Sequence, residues 1–360
     1  MNRAIFLRTA CVAGLLLAQG CTQVAKTPSV PVAASAATCP PPAPALTPDV
    51  LATLRVNAKN LGPLWRVEKG GRVSWLYGTI HVGRLEWQVP GEKVAGALAA
   101  SDTLALEVDI NRKSELERTV VKPAAAASSA VAAVEPVPEN LAKQIDLFCS
   151  YAKTAPGWYD NWLAKMTMTD FVVWMQKVIV QKEGLYDAYG LEYVLARAAA
   201  DSSKTLVGLE KAEERQAYFL HMSALGDTMK NELSKASRAN SSAQPQPVGK
   251  FTALEVLFDE TVVKLVKSST LDIAKSWANA RLTDCLIPGS WCAVPSSPSV
   301  NEAKRAQLNA ERESRMADAF DRLHQSGQRV FAAVGMSHVQ PSRLPALLKA
   351  KGFNVQFVEN

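Results

Sequence analysis

The stretch Trp75–Gly83, "WLYGTIHVG", decides the fold, because an apolar, strand-like run ends there in a glycine followed three residues later by a histidine. A second stretch, Ala332–Gln340 ("AAVGMSHVQ"), repeats this arrangement near the other end of the chain. The sequence has only four histidines, and two of them, His81 and His338, occupy these Gly-x-x-His positions. The pair predicts two related units, each with a histidine where a strand ends.

Each Gly-x-x-His segment lies in the same order of predicted elements: strand, histidine loop, helix, strand. The helix "PGEKVAGALAAS" and the buried strand "TLALEVDI" follow His81, and "SRLPALLKAKG" and "FNVQFVE" follow His338. Apolar runs on either side of "EKGG" predict a β-hairpin before His81. Apolar spacing of three and four predicts helices over 139–152, 158–182, 186–202, 211–234, 252–281 and 300–326, interrupted by the strand "KTLVGLE".

These patterns predict a mixed α/β fold. We expect a central mixed β-sheet built from two related strand-GxxH-helix-strand halves, which an internal duplication would produce, together with a large helical insert. Histidines that leave the carboxyl ends of strands in one open sheet face a common crevice.

The amino-terminal segment is typical of an export signal. Residues 1–20 combine Arg3 and Arg8 with an apolar stretch, and "AQGC" resembles a bacterial lipobox in which Cys21 is lipidated after cleavage. Thr22 stands where inner-membrane lipoproteins have Asp, which favours a lipid anchor on the periplasmic face of the outer membrane. Cleavage without lipidation is the alternative.

The rest of the chain divides by composition. Residues 21–50 are rich in Ala, Pro and Ser and predict a disordered tether. Residues 51–360 predict a single domain with flexible insertions near 120–138 and 236–250.

Charge and cysteine content restrict the class of function. The net charge of +6 comes from scattered Lys and Arg, so no nucleic-acid partner is predicted. No GxSxG, phosphate-loop or dinucleotide motif occurs. Cys285 and Cys292 bracket a Pro-Gly turn, and their spacing suits a structural disulfide better than a zinc site. Cys39 and Cys149 are either a second pair or free thiols.

Three side chains form the candidate site. Glu107 lies between apolar residues in a strand expected to be buried, where a glutamate needs a cation, a metal or a proton. His81, His338 and Glu107 together would make a two-histidine, one-carboxylate site for a divalent metal such as Mn, Co or Zn. The alternative is that each histidine is a loop residue or a helix cap. His221 and His324 lie within helical patterns and are interpreted as core or surface residues.

Three segments also resemble the TraB/GumN family (TraB/PrgY/GumN): "LWRVEKGGRVSWLYGTIHVG", "GLEYVLARAAADSSKTLVGLEKAEERQ" and "RVFAAVGMSHVQPSRLPALLKAKGFNVQ". The resemblance runs from about Leu64 to the C-terminus. That family includes the animal Tiki proteins and is similar to the erythromycin esterase and ChaN-like haem-binding proteins, which share a mixed sheet of two related halves. Through the Tiki branch, the resemblance implies metal-dependent proteolysis by paired GxxH histidines and acidic residues.

The resemblance also implies roles for individual residues. Glu210 falls on the family's "GLE" and becomes a second candidate carboxylate, with a helix cap or a surface charge as the alternative. Glu192 stands where relatives often have Asp, which keeps the charge on a longer arm. Arg312 matches the arginine of a family Arg-Asn pair that could hold a carboxylate or stabilise an oxyanion, although Glu313 replaces the Asn. The ordinary alternative for Arg312 is an exposed helix arginine.

We therefore expect a cell-envelope lipoprotein with a metal-dependent, peptidase-like hydrolase site for a peptide or small-molecule substrate. The metal would lower the pKa of bound water, Glu107 or Glu210 would transfer protons, and Arg312 would stabilise the tetrahedral intermediate. Two alternatives remain open. A metal-free hydrolase of the erythromycin esterase type would use His81 as its base, and a non-catalytic protein would bind haem, a peptide or an envelope polymer. Glu313 in place of Asn favours the second alternative.

Overall fold

The computed structural model describes residues 42–110, 139, 143–145, 168–218, 260–282 and 300–359. Ala37–Asn360 belongs to one compact unit. Its helices and strands are, in chain order, α1 (Pro48–Val56), β1 (Leu64–Lys69), β2 (Arg72–Thr79), α2 (Glu92–Ala99), β3 (Thr103–Leu106), α3 (Met168–Gln181), α4 (Leu191–Asp201), β4 (Thr205–Gly208), α5 (Glu260–Ala278), α6 (Val300–Gln325), β5 (Val330–Gly335), α7 (Leu344–Ala350) and β6 (Asn354–Val358). Residues 212–218 are also helical.

The six described strands form one mixed sheet in the order β4-β3-β5-β2-β1-β6. Neighbouring strands from β4 through β2 are parallel, whereas β1 is antiparallel to both β2 and β6. Only β1 is therefore reversed among these strands. The predicted mixed α/β class and central mixed sheet are confirmed.

Strands β1 and β2 form the hairpin predicted around "EKGG". Lys69 pairs with Arg72 across Gly70 and Gly71, which have φ angles of 58° and 73°. A two-residue turn with positive φ at both positions matches the twist of the flanking strands and favours glycine. The two glycines of the turn therefore set the register of β2 against β1, and His81 follows at the end of β2.

The two Gly-x-x-His strands are direct neighbours. β2 and β5 pair in parallel, with Thr79 opposite Gly335 at their carboxyl ends. The pairing continues beyond the strands, because the backbone N–H of Met336 donates to the carbonyl of Thr79 at 2.8 Å. Both histidines thus leave the same edge of the sheet from adjacent strands.

The two predicted units interlock. β3, which ends the first unit, pairs with β5 of the second unit, and β6, which ends the second unit, pairs with β1. Helix α4 packs against β3 and β4, α6 against β5, and α7 against β6. Every residue of β5 from Val330 to Val334 is buried, as expected for a central parallel strand covered on both faces. Internal duplication itself stays a prediction.

Two predicted boundaries differ from the structure. Helix α1 begins at Pro48, inside the predicted tether, because Thr47 caps it by accepting from the N–H of Val50 and proline suits a first helical turn. Helix α4 begins after Gly190, not at 186, because a short 3₁₀ turn at Asp187–Tyr189 precedes it.

Several predicted features lie outside the described residues. They are the signal, Cys21 and nearly all of the tether, both insertions, the four remaining cysteines, His221, and most of the helices predicted at 139–152 and 211–234. Among the described residues, no helix combines the length and the apolar character needed to cross a bilayer.

The first glycine of the first motif yields a test of the fold. A Cβ at Gly78 would lie 2.6 Å from Val339 Cγ2, 2.7 Å from Pro63 Cγ and 3.2 Å from the Cα of Met336. Since overpacking of a buried position is destabilising, we expect Gly78→Ala to lower the free energy of unfolding by about 1–3 kcal/mol.

Urea denaturation measures this change, and Gly96→Ala in α2 is the control, because its Cβ would meet nothing within 4 Å. We expect Gly96→Ala to be neutral or to stabilise by up to about 1 kcal/mol. An unchanged unfolding free energy for Gly78→Ala would show that Pro63 and the loop that follows β5 do not pack this closely on Gly78.

Candidate active site

Four parallel strands deliver the site to one edge of the sheet. Glu210, Glu107, His338 and His81 follow β4, β3, β5 and β2, which are consecutive in the sheet. Carboxyl ends of parallel strands converge there, and ligand sites of open α/β sheets lie at this edge. The sheet order thus brings together residues that are far apart in the sequence. Glu210 and His338 lie 129 and 257 residues beyond His81, and Glu107 lies nearer to it.

Arg312 of α6 lies at the centre of the site. Its Nε donates to both carboxylate oxygens of Glu210 at 2.8 Å, and its Nη2 donates to Glu210 Oε2 and Glu107 Oε2, each at 2.6 Å. The guanidinium also lies 5.0 Å from the ring centroid of Tyr218. Only 7% of the Arg312 side chain is exposed. A buried charge of this kind is stable only when it is paired, and two carboxylates pair it here.

Glu107 is buried and ionised. Its Oε1 accepts from the backbone N–H of Gly335 at 2.7 Å, and its Oε2 accepts from Arg312 and, at 3.3 Å, from Arg215 Nη1. Burial alone would raise the pKa of the Glu107 carboxyl, but the opposite charges, that of Arg312 above all and also that of Arg215, hold it well below its ordinary range. Conversely, the two glutamates raise the pKa of the Arg312 guanidinium despite its burial.

His338 has a defined tautomer. Its Nε2 lies 3.1 Å from Nη1 of Arg312 and its Nδ1 lies 2.9 Å from Oε1 of Glu313. A guanidinium can only donate, so Nε2 accepts and the ring proton resides on Nδ1, from which it is donated to Glu313. His338 is therefore a neutral, buried link between two charged residues.

Glu313, where the family resemblance implies an asparagine, is not left unpaired. Its Oε1 accepts both from His338 Nδ1 and from Arg343 Nη1, each at 2.9 Å. The Glu313 side chain is 6% exposed, whereas that of Arg343 is 36% exposed. The added negative charge is thus balanced by an arginine from the loop that follows the second motif.

His81, unlike His338, is exposed to solvent. Its side chain is 66% exposed, and its Nδ1 lies 3.0 Å from Oε1 of Glu192, at the start of α4. The same oxygen accepts from the hydroxyl of Thr79 at 2.5 Å. The hydrogen bond to Glu192 raises the pKa of the His81 imidazole above its ordinary value. Glu192 therefore holds His81 by Nδ1 and leaves Nε2 directed away from it.

The predicted metal set does not fit this arrangement. The lone pair of His338 Nε2 faces the Arg312 guanidinium, and both oxygens of Glu107 already accept from N–H donors. Within the described ranges, no group of three His, Cys, Asp or Glu side chains is placed to hold a metal ion. A cation at Glu107 and His338 would have to displace Arg312.

The structure brings together Glu107, Glu210, Arg312 and His338. Surface placement of Glu210 and exposure of Arg312, the ordinary alternatives, are wrong, because both side chains are buried in one ion pair. His81 lies at the same edge but bonds to Glu192. His324 is a buried core residue, with Nδ1 3.0 Å from Ser74 Oγ and Nε2 3.0 Å from the Lys69 carbonyl.

Sequence reasoning missed the contacts of Glu192, Glu313, Arg343 and Arg215. One signal was available for Glu313, since its helix neighbour Arg312 was already a candidate. Glu192 lies directly after a Gly-Leu pair at a helix start, a position where a carboxylate suits the helix dipole, but nothing local indicates a bond to His81.

Fold and site together define an α/β protein with a histidine, carboxylate and arginine site at the ends of adjacent parallel strands. The family model of the TraB/PrgY/gumN family matches residues 63–356. The chain therefore belongs to the TraB/PrgY/gumN family. No curated protein and no solved structure matches it significantly.

The central ion pair predicts a large stability effect. Arg312→Met keeps an unbranched chain of similar length but leaves Glu107 and Glu210 buried without their partner. We expect the free energy of unfolding to fall by about 3–5 kcal/mol, because an uncompensated buried charge is costly.

Urea unfolding of Arg312→Met beside Arg322→Met, an exposed arginine of the same helix, isolates the effect of burial. Adding Glu107→Gln and Glu210→Gln to Arg312→Met should restore part of the loss, since the orphaned charges are then removed. Equal stability of the two single variants would contradict a buried guanidinium at the centre of the site.

Proposed function

We propose that this protein is a hydrolase in which His81 acts as the general base. The supporting observation is the accessible imidazole of His81, held at Nδ1 by Glu192 and 66% exposed to solvent. A base must reach the proton that it removes, and a carboxylate at the other ring nitrogen fixes the tautomer that leaves Nε2 as the acceptor. The other Gly-x-x-His histidine is buried, and both of its ring nitrogens are engaged.

In the proposed reaction, Nε2 of His81 takes a proton from a water molecule as the water attacks the carbonyl carbon of the substrate. Glu192 stabilises the imidazolium that forms, and Thr79 keeps the Glu192 carboxylate in place. His81 then donates its proton to the leaving group. This division of roles between an accessible histidine and an orienting carboxylate is that of other histidine-dependent hydrolases.

The buried carboxylates do not suit proton transfer. Glu107 is ionised with its pKa depressed, and Glu210 is bound by Arg312 through both oxygens. Arg312 already bonds to three side chains, which suits a residue that positions Glu107 and His338 better than one that meets an oxyanion. The metal-free alternative of the erythromycin esterase type is therefore favoured over the metal-dependent one.

Two variants test the base. His81→Gln should lower the rate of hydrolysis by about 10²–10⁴-fold. Glu192→Gln should shift the pH profile, because the Glu192 bond raises the pKa of His81. A base must be deprotonated, so wild-type activity should rise with pH through a midpoint above 6.5, and that midpoint should move to lower pH in Glu192→Gln.

The assay is a screen of fluorogenic peptides and aryl esters on the purified domain, followed by pH profiles of the best substrate. Glu86→Gln, an exposed carboxylate near the same loop, is the control. Full activity of His81→Gln would refute the proposal. Capture of a peptide, haem or envelope polymer without turnover would favour the binding-protein alternative.

The metal-dependent hydrolase is the second candidate. It is favoured by one observation: each Gly-x-x-His histidine has a glutamate at Nδ1, the partner that orients many metal-binding histidines. His81, Glu107 and His338 would hold Mn, Co or Zn only after Arg312 withdrew. Elemental analysis of the purified protein shows whether a metal is bound. A metal that is present in the wild type and lost in both His81→Ala and His338→Ala would establish the metal site.

We also propose that the protein is exported and anchored in the cell envelope by lipid on Cys21. The lipobox-like "AQGC" and Thr22 support this location. Cys21→Ala should release the protein from the outer-membrane fraction into the soluble periplasmic fraction, and unchanged membrane association would contradict the anchor.

A further inference from the structure

Proline interrupts the pairing of β1 and β2 at the first glycine of the first Gly-x-x-His motif. The N–H of Gly78 donates to the Pro63 carbonyl at 2.9 Å, one step beyond the pair of Leu64 and Tyr77. In a regular antiparallel pair, the N–H of residue 63 would return a bond to the Gly78 carbonyl, but proline has no N–H. Since Gly78 is buried, its carbonyl needs a donor from another part of the chain.

Trp277, in the last turn of α5, supplies this donor. Its indole Nε1 donates to the Gly78 carbonyl at 2.8 Å, and its own carbonyl accepts from the N–H of Gly62 at 3.1 Å. A Cβ at Gly62 would lie 2.7 Å from Trp277 Nε1, so the indole lies directly against the backbone of this segment. Because a buried carbonyl is costly to leave unpaired, the indole holds the end of β2 in place.

The same indole packs on the far end of the loop that carries His81. The ring of Trp87 lies 5.0 Å from the Trp277 ring, and Trp87 belongs to the 3₁₀ turn Leu85–Trp87 that ends this loop. Trp277 is 1% exposed, so both contacts are buried. One side chain therefore contacts the His81 loop where it leaves β2 and again where it ends.

The backbone after Gly78 connects Trp277 to the pairing of His81. The carbonyl of Gly78 and the N–H of Thr79 belong to one planar peptide unit, so a bond to the carbonyl also fixes the orientation of Thr79. The Thr79 hydroxyl donates to the Glu192 oxygen that lies 3.0 Å from His81 Nδ1. The position of the indole therefore affects the geometry in which Thr79 and His81 share one carboxylate oxygen.

We propose that Trp277 is a positioning residue for His81, and that it links the helical insert to the site. Its helix, α5, packs against α3, so the packing of these helices sets where the indole meets β2. This inference rests on the proposed function for its link to catalysis, whereas the pairing of His81 with Glu192 can be measured without a substrate. A misplacement of about 1 Å can cost about 10²-fold in rate, which makes such a residue important although it is remote from the reacting atoms.

The test compares Trp277→Phe with Trp65→Phe. Both variants replace a buried tryptophan by a smaller ring, but only Trp277→Phe removes a hydrogen bond, because the Trp65 N–H has no partner within the described part of the chain. NMR titration measures the pKa of His81, whose signal is identified by its loss in His81→Gln. The bond to Glu192 raises this pKa, so we expect Trp277→Phe to lower it and Trp65→Phe to leave it unchanged.

A second substitution tests the hydrogen bond itself. Pro63→Ala supplies a backbone N–H opposite Gly78, so adding it to Trp277→Phe should return the His81 pKa towards its wild-type value. In the hydrolysis assay, Trp277→Phe should lower kcat about tenfold or more with little change in KM, because the base and not the binding of substrate is displaced.

An unchanged His81 pKa in Trp277→Phe would overturn the proposal, as would an equal shift in Trp65→Phe or no recovery with Pro63→Ala. Should Trp277→Phe not fold, the indole N–H signal of Trp277 in the wild-type protein, identified by its contact with Gly62, takes its place. That signal should move as His81 titrates, and an unmoved signal would refute the link. The predicted pKa shift in a protein that hydrolyses nothing would support the positioning role and contradict only the proposed reaction.

Discussion

The buried guanidinium of Arg312 is the constraint on which the site depends. It binds Glu107 and Glu210, which follow neighbouring strands, and it donates to His338, which follows the next strand in the sheet. One side chain from a long helix therefore ties together three strand ends. Since any of these charged groups alone would be expensive to bury, each is stable only while the others hold their places.

This network gives the two motif histidines different roles. His338 is locked between Arg312 and Glu313 and cannot meet a substrate without rearrangement, whereas His81 is exposed and has a single orienting partner. Glu313, where the family resemblance implies an asparagine, belongs to the same network. Arg343 balances the negative charge of Glu313 in an ion pair, and Glu313 in turn accepts from His338 Nδ1, which defines the tautomer of that histidine.

Much of the fold could be predicted because it depends on local signals. The Gly-Gly turn sets the β1–β2 hairpin, and unbroken apolar runs mark buried parallel strands such as β5. The same patterns placed His338 just after a strand, and the structure has it three residues beyond the end of β5. The placement of β3 beside β5 did not follow from these patterns, since pairing between distant segments leaves no local trace.

The contacts within the site were harder to predict. Adjacent helix residues normally point in directions about 100° apart, yet Arg312 and Glu313 are both buried because α6 is enclosed at this level by Glu210 on one side and Arg343 on the other. The pairing of His81 with Glu192 joins segments 111 residues apart through the start of α4. Such contacts depend on how each helix is rotated against the sheet, which periodicity does not determine.

The most direct test of the account is the Arg312 Nε–H signal in ¹⁵N NMR spectra of the purified protein, identified by its loss in Arg312→Lys. A guanidinium buried between two glutamates predicts a signal that exchanges slowly with water and does not change when stoichiometric Zn²⁺ is added. A signal broadened by rapid exchange would contradict the burial of Arg312, and one displaced by zinc would show that a metal takes its place between the glutamates.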